Sequence, residues 1–267
     1  PERVFDIPIA ENGMTGVALG AALAGMRPVF VHMRMDFLPM CMDQIINHAA
    51  KWHYMSGGRV KAPLVIRSII GRGWGSAAQH SQSLQAFFMH VPGLKVVMPS
   101  TPYDAKGLLV SAIKDGNPVI FIEHRWLFEQ IGHVPEELYT VPIGEAIVRR
   151  SGTDATIAAV SFMVYEAMRA SKILEAEGID VEVVDLRTLK PLDRETLFRS
   201  VKKTGRLVIA DTGWRTSGLS AEVAACVTED IFTSLKAPIR RVAFPDVPTP
   251  ASPTLEKAFY PDSETIS

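Results

Sequence analysis

The sequence predicts an α/β protein of two domains, each on a mostly parallel sheet, and three observations carry that prediction. Short apolar runs recur along the chain, amphipathic helical stretches fill the gaps between them, and the alternation lapses once before it resumes. Strands that alternate with helices form mostly parallel sheets.

Near the start, Phe5-Asp6-Ile7-Pro8-Ile9-Ala10-Glu11 leads into Thr15-Gly16-Val17-Ala18-Leu19-Gly20-Ala21-Ala22, which reads as a helix of small residues. Small side chains let another backbone approach, so Glu11 is expected to be withdrawn from water with its pKa raised, as suits a proton donor near neutral pH. A plain helix-start carboxylate interacting with the macrodipole is the alternative, and periodicity does not separate the two. The runs 28–33, 63–70, 94–98 and 118–123 read as buried strands. Residues 38–55 form a long helical pattern and 103–114 another, stopped by Asp115-Gly116-Asn117-Pro118. From 127 to 141 the pattern dissolves into a polar, proline-bearing stretch. Strands at 154–161, 181–185, 206–210 and 239–242 then alternate with helices at 163–177, 194–203 and 220–234. These limits divide the chain into a first domain, 1–130, a link, 131–150, and a second domain, 151–267.

Composition narrows the function. With 47% hydrophobic and 21% charged residues the 267-residue chain is ordinary globular protein. A net charge of -1 without a basic run offers no footprint for nucleic acid or an anionic membrane. The longest apolar stretch, 14–33, contains Arg27 and Pro28 and reads as helix, turn and strand rather than a membrane span. Cys41 and Cys226 lie far apart inside apolar helical patterns, so they are expected to be reduced core residues of a cytoplasmic protein. The abrupt start at Pro1, without a secretory leader, is expected to reflect truncation.

All seven histidines precede the second domain, which places acid/base chemistry in the first. His48 and His53 are five apart and point to different helix faces, and no zinc pattern occurs. His80 stands out because the stretch from Gly71 to Gln82 lies between a strand and a helix, where α/β sheets bind ligands. A functional histidine and a capped loop histidine remain open there. The glycines of this loop lack dinucleotide spacing, and no phosphate loop or nucleophile elbow is found. Phe37 precedes the 38–55 pattern, and from spacing alone it reads as core rather than as a pocket wall.

Taken together, the 5–11 string, Asp43-Gln44-Ile45-Ile46-Asn47, Tyr54-Met55-Ser56-Gly57-Gly58, Gln79-His80-Ser81-Gln82-Ser83, Pro92-Gly93-Leu94-Lys95-Val96-Val97 and Asp185-Leu186-Arg187-Thr188-Leu189-Lys190-Pro191-Leu192-Asp193 closely resemble the beta subunits of thiamine-diphosphate-dependent 2-oxo acid dehydrogenases. The resemblance covers essentially the whole chain. It implies two three-layer α/β/α domains, a pyrimidine-binding domain followed by a transketolase C-terminal domain. It also implies that Glu11 bonds the aminopyrimidine of thiamine diphosphate and favours the imino tautomer that generates the reactive ylid. Phe37 matches the ring packed on the pyrimidine, Ile9 a pocket-wall position, and His80 the histidine that bonds the intermediate or guides acyl transfer to lipoyl. Leu64, Ala112, Ile113, Asp115 and Asn117 match positions that hold potassium in related subunits. Carbonyls at a helix end, unpaired and at the negative pole of the macrodipole, suit a cation, and equally suit water.

The resemblance further implies an alpha subunit, a heterotetramer of two alpha and two beta chains, and a lipoyl acyltransferase partner. The Gly-Asp-Gly followed by asparagine that holds magnesium and the diphosphate in this cofactor class is missing from the sequence, so magnesium is expected on the alpha subunit. Two departures stand out. Relatives carry roughly one more strand-helix segment ahead of Pro1. His32-Met33-Arg34-Met35-Asp36-Phe37 and His124-Arg125-Trp126-Leu127 differ from pyruvate-type enzymes, so Arg34 or His32 is expected to favour a substrate with an extra anionic or hydroxyl-rich group. Competing readings are half of a split transketolase-like enzyme and a non-enzymatic scaffold, the second disfavoured by the presence of Glu11, Phe37 and His80.

Overall fold

The computed structural model describes residues 2–72 and 75–267. Gly73 and Trp74 of the loop before His80, and Pro1, lie outside the described residues. The helices are α1 (Glu11–Leu23), α2 (Trp52–Met55), α3 (Gln85–His90), α4 (Pro102–Lys114), α5 (Phe162–Ala176), α6 (Arg194–Thr204), α7 (Leu219–Ile231), α8 (Pro253–Phe259) and α9 (Ser263–Ile266). The strands are β1 (Val29–His32), β2 (Val65–Ile70), β3 (Lys95–Val97), β4 (Val119–His124), β5 (Ile147–Arg150), β6 (Ala155–Ala159), β7 (Val181–Asp185), β8 (Thr188–Lys190), β9 (Leu207–Trp214) and β10 (Arg240–Phe244).

Two sheets result, in the orders β1-β2-β4-β3-β8 and β10-β9-β6-β7-β5. Each is parallel except for one antiparallel edge strand, β8 in the first and β5 in the second. Alternation along β4 shows why helices cover both faces of the first sheet. Val119 and Phe121 pack with Leu108 and Ala112 of α4, whereas Ile120 and Ile122 join Leu19, Leu38, Ile45 and Phe88 on the other face. The second sheet repeats the arrangement, with α5 and α9 on one face and α6 and α7 on the other. The α/β class and three-layer form expected from the sequence are therefore present.

Three local outcomes differ from the sequence pattern. Residues 38–55 are not one helix: a 3-10 turn at Met35–Cys41, a π-helical stretch at Gln44–Ala49 and α2 follow in succession. Pro39 lies inside the first and lacks an N–H. Near the break between the second and third, Gly93 (φ +99°) approaches so closely that a Cβ there would lie 1.9 Å from the Ala50 carbonyl oxygen. Residues 139–143, without a period, are pinned along α4. The Val141 N–H donates to the Gly107 carbonyl at 3.1 Å, and Tyr139, Val141 and Ile143 cover the α4 face. β8 lies beyond the link in sequence yet joins the first sheet, Val96 pairing with Lys190.

The two halves are locked by buried charge. Asp104, in the first turn of α4, accepts from Arg187 at 3.0 Å and pairs with Arg149, which donates to Asp185 at 2.8 Å. Asp104, Asp185 and Arg187 are buried. Among the described residues no helix is long and apolar enough to cross a membrane.

Candidate active site

The sequence-predicted residues divide between the two ends of the first sheet. α1 runs antiparallel to the strands, so its start lies at their carboxyl edge. His32, the last residue of β1, bonds Thr15 there at 3.2 Å, and the Thr15 hydroxyl donates to the Glu11 carbonyl at 2.6 Å. With that hydroxyl proton committed, His32 Nε2 carries the proton of the Thr15 bond. Burial, opposed by the Glu11 charge, pushes the His32 pKa down to about 4. His32 is thus a neutral core residue that fastens the first turn of α1, not a cation reading substrate.

Glu11 is half-buried, and no hydrogen-bond donor among the described residues meets its carboxylate. Ile9 is 95% exposed. Neither is enclosed by the chain itself, contrary to the close cover argued for Glu11 from the small residues of α1. Gly13 and Gly20 have nothing within 4 Å of an added Cβ, so the face that would bring the covering backbone is open.

Phe37 and His80 are brought together. Their rings meet edge to face with centroids 5.3 Å apart, Phe37 half-buried and His80 exposed. The 3-10 turn carrying Phe37 packs against α1, which puts the ring on an element adjoining Glu11. A half-buried ring, on a turn that packs against the helix opened by an unpaired carboxylate, suits a flat heteroaromatic ring with a basic nitrogen.

The His80 loop is held by residues to which the sequence reading gave other roles or none. At its root, Gly71 (φ +86°) leaves no room for a Cβ, which would lie 2.7 Å from the His124 ring. The Gly71 carbonyl accepts from Arg34 at 2.8 Å. Arg72 pairs with Glu256 of α8, its guanidinium 4.4 Å from the Trp126 ring centroid and 5.0 Å from that of Tyr260. Burial, helped by the Arg34 charge, pushes the His124 pKa down to about 3, and burial pushes Tyr260 up to about 12. Arg34 donates to the Gly71 carbonyl and faces Asp36 at 3.7 Å, while its Nε and Nη1 are buried without a hydrogen-bond partner among the described residues. Apart from Arg34–Asp36, these contacts join residues 37 to 184 positions apart, so no local pattern announces them.

The predicted potassium set lies at the opposite, amino edge, about 20 Å away for six residues of strand. The Leu64 carbonyl accepts the Val119 N–H at 2.9 Å. The carbonyls of Ile113 and Asp115 accept from Arg27 at 2.7 and 2.9 Å, and the Asp115 carboxylate pairs with Lys95. Hydrogen bonds, chiefly from Lys95 and Asn117, hold the Asp115 pKa below the usual range against its partial burial. Side-chain cations thus occupy two carbonyls and the one carboxylate of this set.

Comparison with known proteins adds to this geometry. Residues 1–130 match the transketolase pyrimidine binding domain family and residues 144–266 the transketolase C-terminal domain family. The chain is 48% identical to the acetoin:2,6-dichlorophenolindophenol oxidoreductase subunit beta of Cupriavidus necator, covering 100% of this chain and 79% of the relative. It is 46% identical to a pyruvate dehydrogenase E1 component subunit beta of Rickettsia felis, covering 100% and 82%. The chain belongs to the beta subunits of thiamine-diphosphate-dependent 2-oxo acid dehydrogenases. Within that family it is also 43% identical to the 2-oxoisovalerate dehydrogenase subunit beta of Bacillus subtilis, covering 99% and 82%. A solved structure titled "Split gene transketolase, inactive beta4 tetramer" superimposes with a TM-score of 0.81 at 27% identity, covering 100% of this chain and 82% of that one.

Proposed function

We propose that this beta subunit acts with an alpha subunit, as a heterotetramer of two alpha and two beta chains, to decarboxylate a 2-oxo acid and pass the acyl group to the lipoyl group of an acyltransferase component. The observation that carries the reading is the open Glu11 carboxylate at the start of α1, the helix packed by the turn whose Phe37 ring meets His80. Thiamine diphosphate, when bound, supplies the nucleophilic carbon and the electron sink for decarboxylation. Glu11 holds a proton at the aminopyrimidine ring nitrogen, Phe37 packs on that ring, and Ile9 closes the pocket wall once a neighbouring subunit covers it. His80 stands at the reacting atoms and bonds the developing charge or guides the acyl group. Magnesium and the diphosphate belong to the alpha subunit. The open glycine face of α1 supports its burial between subunits.

The same reading assigns 1–130 to cofactor pyrimidine binding, 131–150 to the link and 151–267 to the C-terminal domain. The two family matches support it, and β5 already belongs to the second sheet from Ile147. Free, buried Cys41 and Cys226 support a reducing, cytoplasmic setting. Potassium at 112–117 would compete with Arg27 for two carbonyls.

The solved split transketolase favours one second reading, transfer of a two-carbon unit between sugars. Reconstitution with the alpha subunit, thiamine diphosphate and magnesium decides between them. Turnover of 2-oxo acids with a lipoyl-domain acceptor is expected, and turnover of sugar phosphates alone would overturn the assignment. The chain without its alpha subunit is expected to be inactive.

A further inference from the structure

Met35, Asp36 and Phe37 grip the loop after His80 at alternate residues. The Phe37 ring meets the His80 ring, Asp36 Oδ1 accepts the Gln82 N–H at 2.9 Å, and Met35 Sδ accepts the Leu84 N–H at 3.2 Å. Of the three gripping side chains only Asp36 is ionisable, and its carboxylate is 1% exposed. Its second oxygen has no hydrogen-bond donor among the described residues and faces Arg34 Nε at 3.7 Å. Arg34 in turn donates to the Gly71 carbonyl, so one buried pair spans the root of the loop and its far end.

A lone buried carboxylate is costly unless it is paired and hydrogen-bonded. Holding Asp36 beside Arg34, with an acceptor committed to a backbone N–H two residues from His80, fixes where that backbone can go. Met35 and Phe37 supply packing, which tolerates small shifts. The carboxylate supplies a directional anchor, and bonds to charged groups are the stronger and shorter kind.

We propose that Asp36 is a positioning residue for His80, acting through the Gln82 N–H and held in place by Arg34. The inference rests on the reading of His80 as a residue that meets the reacting atoms. Misplacement of a reacting group by about 1 Å costs up to about 100-fold in rate.

The test uses the alpha–beta complex reconstituted with thiamine diphosphate and magnesium, with four variants: Asp36→Ala, Asp36→Asn, His80→Ala and the double Asp36→Ala/His80→Ala. Asp36→Ala is expected to lower kcat by about 10- to 100-fold with little change in KM, and Asp36→Asn, which keeps an acceptor oxygen, to recover part of the loss. The double variant is expected to be no slower than His80→Ala, because residues acting through one group are not additive. Losses that multiply in the double variant would mark Asp36 as merely structural and overturn the proposal. Full activity in Asp36→Ala beside a collapsed His80→Ala would overturn it while leaving the reading of His80 intact. Full activity in His80→Ala would overturn that reading and this inference with it. If Asp36→Ala does not assemble, the comparison is made with Asp36→Asn alone and with its double variant.

Discussion

The Glu11 corner of the first sheet's carboxyl edge and the seam between the two halves handle their charges in opposite ways. At the seam, Asp104, Asp185, Arg149 and Arg187 find one another inside the chain. At the carboxyl edge, the Glu11 carboxylate meets no donor among the described residues and Ile9 meets solvent. The seam is closed by groups of one chain, whereas the Glu11 corner is left open by it.

The most forceful way to break the contrast is at the open end. Glu11→Gln keeps size and hydrogen-bonding capacity but cannot transfer a proton, so turnover of the assembled complex is expected to fall roughly 100- to 10,000-fold while assembly persists. Deuterium exchange at the thiazolium carbon should fall in parallel, and wild-type exchange rates would remove Glu11 from the mechanism.

At the closed end, Asp104→Ala leaves the buried Arg187 without its carboxylate partner. Urea unfolding of the complex is expected to show a loss of about 3–5 kcal/mol, with far less change in activity per folded molecule at low denaturant. An unchanged midpoint would show that Asp185 alone can hold both arginines.

Protonation sharpens the comparison inside the carboxyl edge itself. His32 has a folded pKa of about 4, below its unfolded value of about 6.5, so it favours the neutral form when folded. Its contribution is present above pH ~6.5 and lost as pH falls toward 4, about 3 kcal/mol in all. His32→Gln is expected to flatten the stability curve over that window, and an identical slope would count against the burial of this imidazole.

The smallest effect is at the amino edge. Arg27→Met frees the carbonyls of Ile113 and Asp115. Melting in potassium chloride relative to sodium chloride is expected to rise by a few degrees more in the variant than in the wild type, as binding to the folded state alone requires. Equal shifts would show that the guanidinium and the ion do not compete.

The sequence by itself determined the class of fold and the position of every strand but β5 and β8, and it singled out Glu11, Phe37 and His80 as candidates. Buried parallel strands must be apolar on both faces, and the helices between them must alternate. Those are local requirements, and they leave a local trace in runs such as 118–123. It did not determine the break in 38–55, because Gly93 presses on Ala50 from 43 positions away. Nor did it reveal that β8 crosses to the first sheet, or that residues 139–143 dock on α4, since backbone-mediated contacts impose no side-chain period. The largest shift concerned Arg34 and His32. From the sequence they were unpaired polar groups near a site. Only the tertiary structure supplied Thr15 and Gly71 as their partners, because hydrogen bonds between distant residues are chosen by packing rather than by sequence neighbourhood.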